Sequence, residues 1–429
     1  MKKRCLCFVA NADNVHTQRW LRYFILQGHT VFCLSDKPAQ IEGVTVWLLP
    51  TRDDLLKQNK RARKADVIQA RAVQIQTYIQ QCKPDVVHAL YSYLRGWSAA
   101  LAKVTCREGF PPLVITLLGN DIDLLPEYYR SPFHLMRDHW LNQLSLNVCD
   151  LVTGVSHQLC QAAKKMVSGL ASTHTPIELI TLGANLQLFY PDKNNPVLAE
   201  WRQRLNIPLD ANIILSPRIM APLYQIDRLI EAIPSVLARY PNTVFILKDT
   251  QADTPERQAY VETLHALAAQ LGVSEAIRWI NTVPIEQLPE LYNLADVVVS
   301  IPSTDGMPVT LLEAMACETP VIVSDLAAYN GLIETATGIR VNFKEFATGI
   351  SALGNALIET LQNPSAAYER ARQGGMIARE LGDFDAHMAR METLYYKALS
   401  MDETGAHKNS FSLQYGLNAL LLKSLVKLS

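Results

Sequence analysis

The tightest constraint in the chain is residues 294–325, LADVVVSIPSTDGMPVTLLEAMACETPVIVSD. The stretch opens on a short β-branched run, residues 297–301, as a strand buried on both faces requires. A loop with Pro302, Asp305, Gly306 and Pro308 follows. Residues 309–316 are good helix formers, with Pro308 near the first turn, where a missing N–H leaves no bond unmade. Residues 320–323 are a second apolar run, so the stretch reads as one strand–loop–helix–strand unit of a parallel sheet. It carries two carboxylates. Asp305 falls in the loop at the carboxyl end of a strand, where open α/β sheets bind ligands. Glu313 falls two turns into the helix among apolar neighbours. Backbone N–H groups from Gly306 to Val309 would face an anion at the helix N-terminus. The unit therefore offers a phosphate seat flanked by two acceptors for sugar hydroxyls.

At 429 residues the chain exceeds one core, and two domains are expected. With 49% apolar and 19% charged residues it reads as globular, and a net charge of −1 gives no reason to expect nucleic acid as a partner. Of the eight cysteines only Cys5 and Cys7 are closely spaced, and two thiols alone make no metal site. Buried free thiols in a reducing, cytoplasmic compartment are expected. The start, MKKRCLCFVANADN, has too short an apolar run for a signal peptide and reads as a first strand. No apolar run is long enough to span a bilayer.

An acidic residue, seven intervening residues and a Glu in the context LLEAMAC resemble the signature of retaining GT-B glycosyltransferases, above all glycosyltransferase family 4 (group 1). The resemblance implies an α/β fold of two Rossmann-like βαβ domains facing across a cleft, with a C-terminal helix crossing back to the first domain. It gives Glu313 the nucleotide ribose, and it gives Asp305, Gly306, Met307, Pro308 and Val309 the donor sugar and its phosphate. Two departures stand out: Asp305 replaces the family's usual Glu, one methylene shorter, and Glu318 replaces the usual Gly after Cys317.

Residues 5–10, 31–34, 44–49, 84–89, 113–117 and 149–155 read as strands of the first half, with a helix over 16–27 between the first two. Residues 11–14 stand where the family has a Gly-rich loop. His16, at the loop–helix junction, is a candidate for acceptor or phosphate contact, or a helix-start surface residue. Lys57, Lys60, Arg61, Arg63, Lys64 and Arg71 read as one basic helix: a solvated face, or a face for anionic lipid headgroups. The strand ending at Leu117 runs into Leu118-Gly119-Asn120-Asp121. Leu118 stands where the family often has His or Trp, and Asn120 and Asp121 are candidates for acceptor hydroxyls or for a general base. Asp121 is equally a cap of the next turn.

In the second half, the loop after the strand at 213–215 carries Arg218, matching the Arg that the family sets against the diphosphate. Tyr224 falls near the position of the family's Lys, so one of two cations is replaced. Lys248, at the end of the strand 244–247, would supply the missing charge or lie on the surface. The predicted domains are residues 1–193 (acceptor), 194–384 (nucleotide-sugar), a crossover helix at 385–400 and a linker with an amphipathic tail at 401–429. In the tail, Leu413, Leu417, Leu420, Leu421, Leu425 and Leu428 form the apolar stripe, for packing or for a membrane surface.

The implied function is transfer of a sugar from a nucleotide-sugar donor to a hydroxyl acceptor, a glycan or lipid-linked sugar, with retention and without a cofactor or required metal. Asp305 and Arg218 are the candidate catalytic residues. The rival readings are a degenerate nucleotide-sugar-binding subunit assisting a partner transferase, and a nucleotide-sugar epimerase. The expected localisation is cytoplasmic, with peripheral contact at the inner face of the membrane as the alternative.

Overall fold

The structure is a computed structural model that describes residues 2–106, 109–119, 122, 131–168, 175–248, 254–343, 345–403 and 412–428. The chain forms two compact units, Met1–Leu182 with Asp385–Ser429, and Gly183–Phe384.

The first unit holds a seven-stranded, all-parallel sheet. Its strands are β1 (Cys5–Val9), β2 (Thr30–Ser35), β3 (Val44–Leu48), β4 (Val86–Leu90), β5 (Leu113–Leu117), β6 (Leu151–Gly154) and β7 (Ile177–Leu179), in the order β3-β2-β1-β4-β5-β6-β7. The polar turn after β1 caps the next helix, Val15–Leu26: Asn14 Oδ1 accepts the N–H groups of His16 and Thr17 at 2.9 and 3.3 Å. That helix buries Thr17, Trp20, Leu21 and Phe24, the i, i+3, i+4 and i+7 positions of one face.

The Phe384–Glu403 helix buries Met388, Met391, Leu394 and Tyr395 together with one carboxylate, Glu392, and its buried polar groups bond to this unit. Arg4 N–H donates to His29 Nδ1 at 3.2 Å, so His29 Nε2 carries the proton it shares with Glu392 Oε1 at 3.1 Å. His88 on β4 is fully buried, with Nδ1 2.6 Å from Tyr395 Oη and Nε2 2.6 Å from Thr116 Oγ1. It is a core histidine.

Two expectations for this unit are corrected. The basic stretch is not one helix but two, Arg52–Gln58 and Lys64–Cys82. A Thr51/Asp54 capping box starts the first; Asn59 Oδ1 then accepts Arg61 N–H at 3.1 Å in a turn, and Asp66 takes the Arg63 N–H at 2.7 Å to start the second. Arg71 is no surface charge: it is buried, with Nε 2.8 Å from Pro50 O and Nη2 3.4 Å from Asp36. In the tail, the Ser412–Leu428 helix packs on the Pro132–Val148 and Lys64–Cys82 helices, but with the other face. Asn418, Ala419, Leu422 and Val426 are buried, whereas Leu417, Leu420 and Leu421 of the predicted stripe are exposed. The helix is apolar nearly all round, so its leucine count alone does not choose the packed side.

The second unit holds a six-stranded parallel sheet. Its strands are β8 (Asn212–Ser216), β9 (Thr243–Lys248), β10 (Ile277–Ile280), β11 (Val297–Ser300), β12 (Val321–Ser324) and β13 (Ile339–Val341), in the order β10-β9-β8-β11-β12-β13. Both faces are packed: Ile213, Leu215 and Val298 enter one core, Ile214, Val297 and Val299 the other. This explains the unbroken apolar runs in the sequence. Strand order reverses between β8 and β11, which places the ligand-binding crevice of such a sheet at the carboxyl ends of these two strands.

The Val309–Ala316 helix ends in a Schellman motif: Glu318 N–H donates to Met315 O at 2.9 Å and Thr319 N–H to Ala314 O at 3.0 Å. Glu318 therefore adopts φ +51°, the left-handed conformation that favours glycine. This is the physical meaning of the Gly expected after Cys317. Gly183 also needs its glycine: at φ +59°, a Cβ there would lie 2.6 Å from Phe384 Cα. The close approach is fixed by Ala184 N–H to Gly382 O at 2.6 Å and Phe384 N–H to Ala184 O at 3.2 Å.

Candidate functional site

The site assembles at the switch point of the second sheet. β8 leads into Arg218, β11 into Asp305, β12 into Tyr329, and β9 ends at Lys248. Four separate segments thus deliver side chains to the carboxyl edge of one sheet.

Asp305 is held from three sides. Arg218 Nη2 donates to its Oδ2 at 3.1 Å, Tyr329 Oη donates to the same oxygen at 3.1 Å, and the Gly306 N–H donates to Oδ1 at 2.9 Å. Arg218 is itself over-determined. Its Nη1 donates to Thr310 Oγ1 at 3.1 Å, and its Cζ lies 4.1 Å from the centre of the Tyr224 ring. Burial works against the guanidinium charge, but Asp305, Tyr224 and Tyr329 outweigh it and raise its pKa. Tyr329, fully buried, has its phenol pushed well above the ordinary value by burial and then by the Asp305 charge, so it remains an O–H donor.

Glu313 is 4% exposed and accepts from Tyr292 Oη at 2.9 Å through Oε2. Burial and the Glu313 carboxylate push the Tyr292 phenol well up, which keeps that bond a phenol donating to a carboxylate. Lys248 is half-buried. Burial lowers its pKa and Arg218 lowers it further, while Glu313 opposes both. Its ammonium is therefore in electrostatic reach of both Glu313 and Arg218, and it is no isolated surface lysine. Two cations, Arg218 and Lys248, share the site with two carboxylates, Asp305 and Glu313.

The loop before the helix divides its work. Gly306 is engaged by its N–H, Met307 packs against the core, and Pro308 and Val309 are buried at the helix start, where first-turn N–H groups precede the intrahelical ladder. Of the acceptor-side candidates, His16 is a part-buried second residue of its helix in the first unit. Asn120 and Asp121 lie outside the described residues. Among the described residues no three of His, Cys, Asp and Glu group to hold a metal ion. The eight cysteines are free.

Three side chains of the site, Thr310, Tyr292 and Tyr329, were not anticipated. Thr310 had a signal, as the one polar residue in the first turn of an apolar helix. Tyr292 and Tyr329 had none: each is an aromatic in an apolar stretch, distinguishable from core only by its hydroxyl's partner.

Comparison with known proteins follows the same division. Residues 198–375 match the family model for glycosyl transferases group 1, and residues 5–155 match a glycosyl transferase 4-like model. The chain is 28% identical over 249 residues (58% of this chain, 55% of the relative) to TuaC of Bacillus subtilis, named for glycosyl transfer in teichuronic acid biosynthesis. It is 28% identical over 203 residues (46% and 47%) to a D-inositol 3-phosphate glycosyltransferase of Corynebacterium urealyticum. The chain spans about half the length of these curated relatives. Among solved structures, it resembles sucrose-phosphate synthase from Thermosynechococcus elongatus with a TM-score of 0.73 at 18% identity, over 93% of this chain and 100% of that one. It resembles Anabaena HepE in complex with UDP-glucose with a TM-score of 0.70 at 18% identity, over 91% and 98%. At such identity these likenesses establish the fold, two Rossmann-like units of the GT-B type. Both halves of the chain match family models in their proper order, and the chain belongs to the group 1, family 4-like glycosyltransferases.

Proposed function

We propose that the protein is a glycosyltransferase moving a sugar from a nucleoside diphosphate donor to a hydroxyl acceptor with retention of configuration. The observation that carries this reading is the pair Asp305 and Glu313 on one strand–loop–helix unit, with Arg218 bonded to the first and Lys248 charge-coupled to the second. Glu313, fixed by Tyr292, accepts the two ribose hydroxyls. The diphosphate takes the helix N-terminus at Val309 together with Arg218 and Lys248, which stabilise the charge on the departing nucleoside diphosphate. With two cations in that role, the reaction needs no metal. Asp305, oriented by Arg218, Tyr329 and its own Gly306 N–H, accepts from donor-sugar hydroxyls and steadies positive charge building at the anomeric carbon. The leaving phosphate takes the acceptor proton on the same face, which is how configuration is retained. The acceptor, a glycan or lipid-linked sugar, is met by the first unit, where His16, Asn120 and Asp121 are the candidates.

UDP and UDP-glucose are the first probes, since HepE holds UDP-glucose. A thermal-shift panel of UDP, GDP, ADP and their sugars on the wild type and Glu313→Ala tests the reading. One nucleotide should stabilise the wild type saturably, as RT ln(1 + [L]/Kd) requires, and lose about tenfold or more in affinity with the variant. No shift with any nucleotide would overturn it. The replacement of the family's Lys by Tyr224 favours one rival, a subunit that binds donor without using it. Slow donor hydrolysis by the wild type, abolished in Arg218→Ala, would exclude that rival; saturable binding with no turnover or hydrolysis would support it.

A further inference from the structure

In the first unit, the Pro132–Val148 helix leaves Phe133, Met136 and Trp140 58%, 54% and 39% exposed. Their spacing of three and four puts them on one face. The packed tail helix leaves Leu417, Leu420 and Leu421 48%, 65% and 38% exposed. The two faces are continuous: Phe133, Met136, Trp140 and Leu144 line one open cavity of about 240 Å³ with Leu421 and Leu425. The tail helix has thus buried one apolar side in the fold and presents a second. A helix that is apolar all round needs a partner on both sides, and soluble monomers rarely expose a continuous patch of this kind.

The charges around it select the partner. Between them the two helices carry one acid, Asp138, and its side chain is fully buried, bonded to Arg137 at 2.6 Å and to Lys64 at 2.9 Å. The described residues of both helices thus expose no carboxylate. Their own exposed or half-exposed charges are Lys423 and Lys427. The Lys64–Asp138 contact also ties the neighbouring 59–63 turn, with its exposed Lys60, Arg61 and Arg63, to the same helix. Of the acids flanking that turn, Asp54 bonds Thr51 and Lys57 and Asp66 bonds Arg63, while Asp53 is exposed and leaves the basic charges in excess. A second copy meeting this surface about a two-fold axis would set like charge against like. An anionic bilayer would take the aromatic and leucine side chains at the headgroup boundary and neutralise the basic rim.

We infer that the exposed faces of the Pro132–Val148 and Ser412–Leu428 helices form one docking surface for an anionic lipid bilayer. The surface is built on the first unit and does not depend on the donor chemistry of the second. The test is co-sedimentation of the full chain with phosphatidylcholine vesicles with and without phosphatidylglycerol. Wild type should bind the anionic vesicles, and about a doubling of salt should weaken binding severalfold. The double variant Trp140→Asp/Leu420→Asp should lose about tenfold or more of that binding, and Lys423→Glu/Lys427→Glu a lesser factor. These side chains face outward, and an unchanged circular dichroism spectrum and UDP response would show that the fold is kept. Equal sedimentation of wild type and apolar-face variant overturns the inference, as does equal binding to neutral vesicles. A dimer in sedimentation equilibrium that the same variant dissociates, with no vesicle binding, overturns it in favour of a contact between copies.

Discussion

The guanidinium carbon of Arg218 lies 4.1 Å from the centre of the Tyr224 ring, while its Nη2 bonds Asp305 at 3.1 Å. A residue standing near the family's second cation thus acts on the first: it clamps a charge instead of adding one. A cation–π contact is worth about 0.5–2 kcal/mol from exposed to desolvated settings, so Tyr224→Ala should weaken binding of the active nucleotide by about 2- to 30-fold. Tyr224→Phe keeps the ring and should stay close to wild type. Isothermal titration on both variants decides the point: equal losses in Ala and Phe would assign the effect to the hydroxyl, and no loss in either would remove Tyr224 from the site.

The legible part of the molecule is the part governed by short-range rules. The 309–316 helix is observed as Val309–Ala316, and the strands around it within a residue or so, because buried parallel strands read as β-branched runs and Pro308 marks a helix start. The pairing of Arg218 with Asp305 joins residues 87 apart, and no periodicity encodes it. The basic stretch failed for a different reason. Its charges suggest one face, but Asn59 and the Asp66 side chain offer local bonds that break the helix. The tail failed because a helix with leucines on every side has no unique inward face until its neighbours are known.

Glu318 holds the left-handed conformation at φ +51° as the residue after the helix cap. For a residue with a Cβ this costs about 1–2 kcal/mol. Its compensation is the 2.8 Å ion pair with Arg379, whose side chain is 44% exposed, and an exposed pair contributes about 0–1 kcal/mol. The strain is the larger effect. Glu318→Gly should therefore raise stability, by about 0.5–1 kcal/mol, and Arg379→Ala should lower it by less than that. Urea unfolding of the three proteins checks the order. A less stable Gly variant would mean that the ion pair, and not the backbone, governs this turn.

His88 sets a pH dependence. Burial lowers its pKa from 6.5 to about 3, with both ring nitrogens bonded inside the first unit, to Tyr395 and Thr116. The unfolded chain, where the imidazole titrates near its ordinary value, therefore binds the proton more readily than the native state. Native stability from this group is complete above about pH 6.5 and falls as pH drops towards 3, at about 1.4 kcal/mol per pH unit inside the window. Between pH 7 and pH 5 that amounts to about 2 kcal/mol. His88→Gln replaces the ring with a neutral amide that does not titrate. The variant will be less stable at pH 7, since it gives up a packed ring and two short hydrogen bonds. Its stability should nevertheless fall by about 2 kcal/mol less than that of the wild type on going to pH 5. Urea unfolding of both proteins at the two pH values measures the difference, and equal slopes would show that His88 takes up its proton in the folded core without penalty.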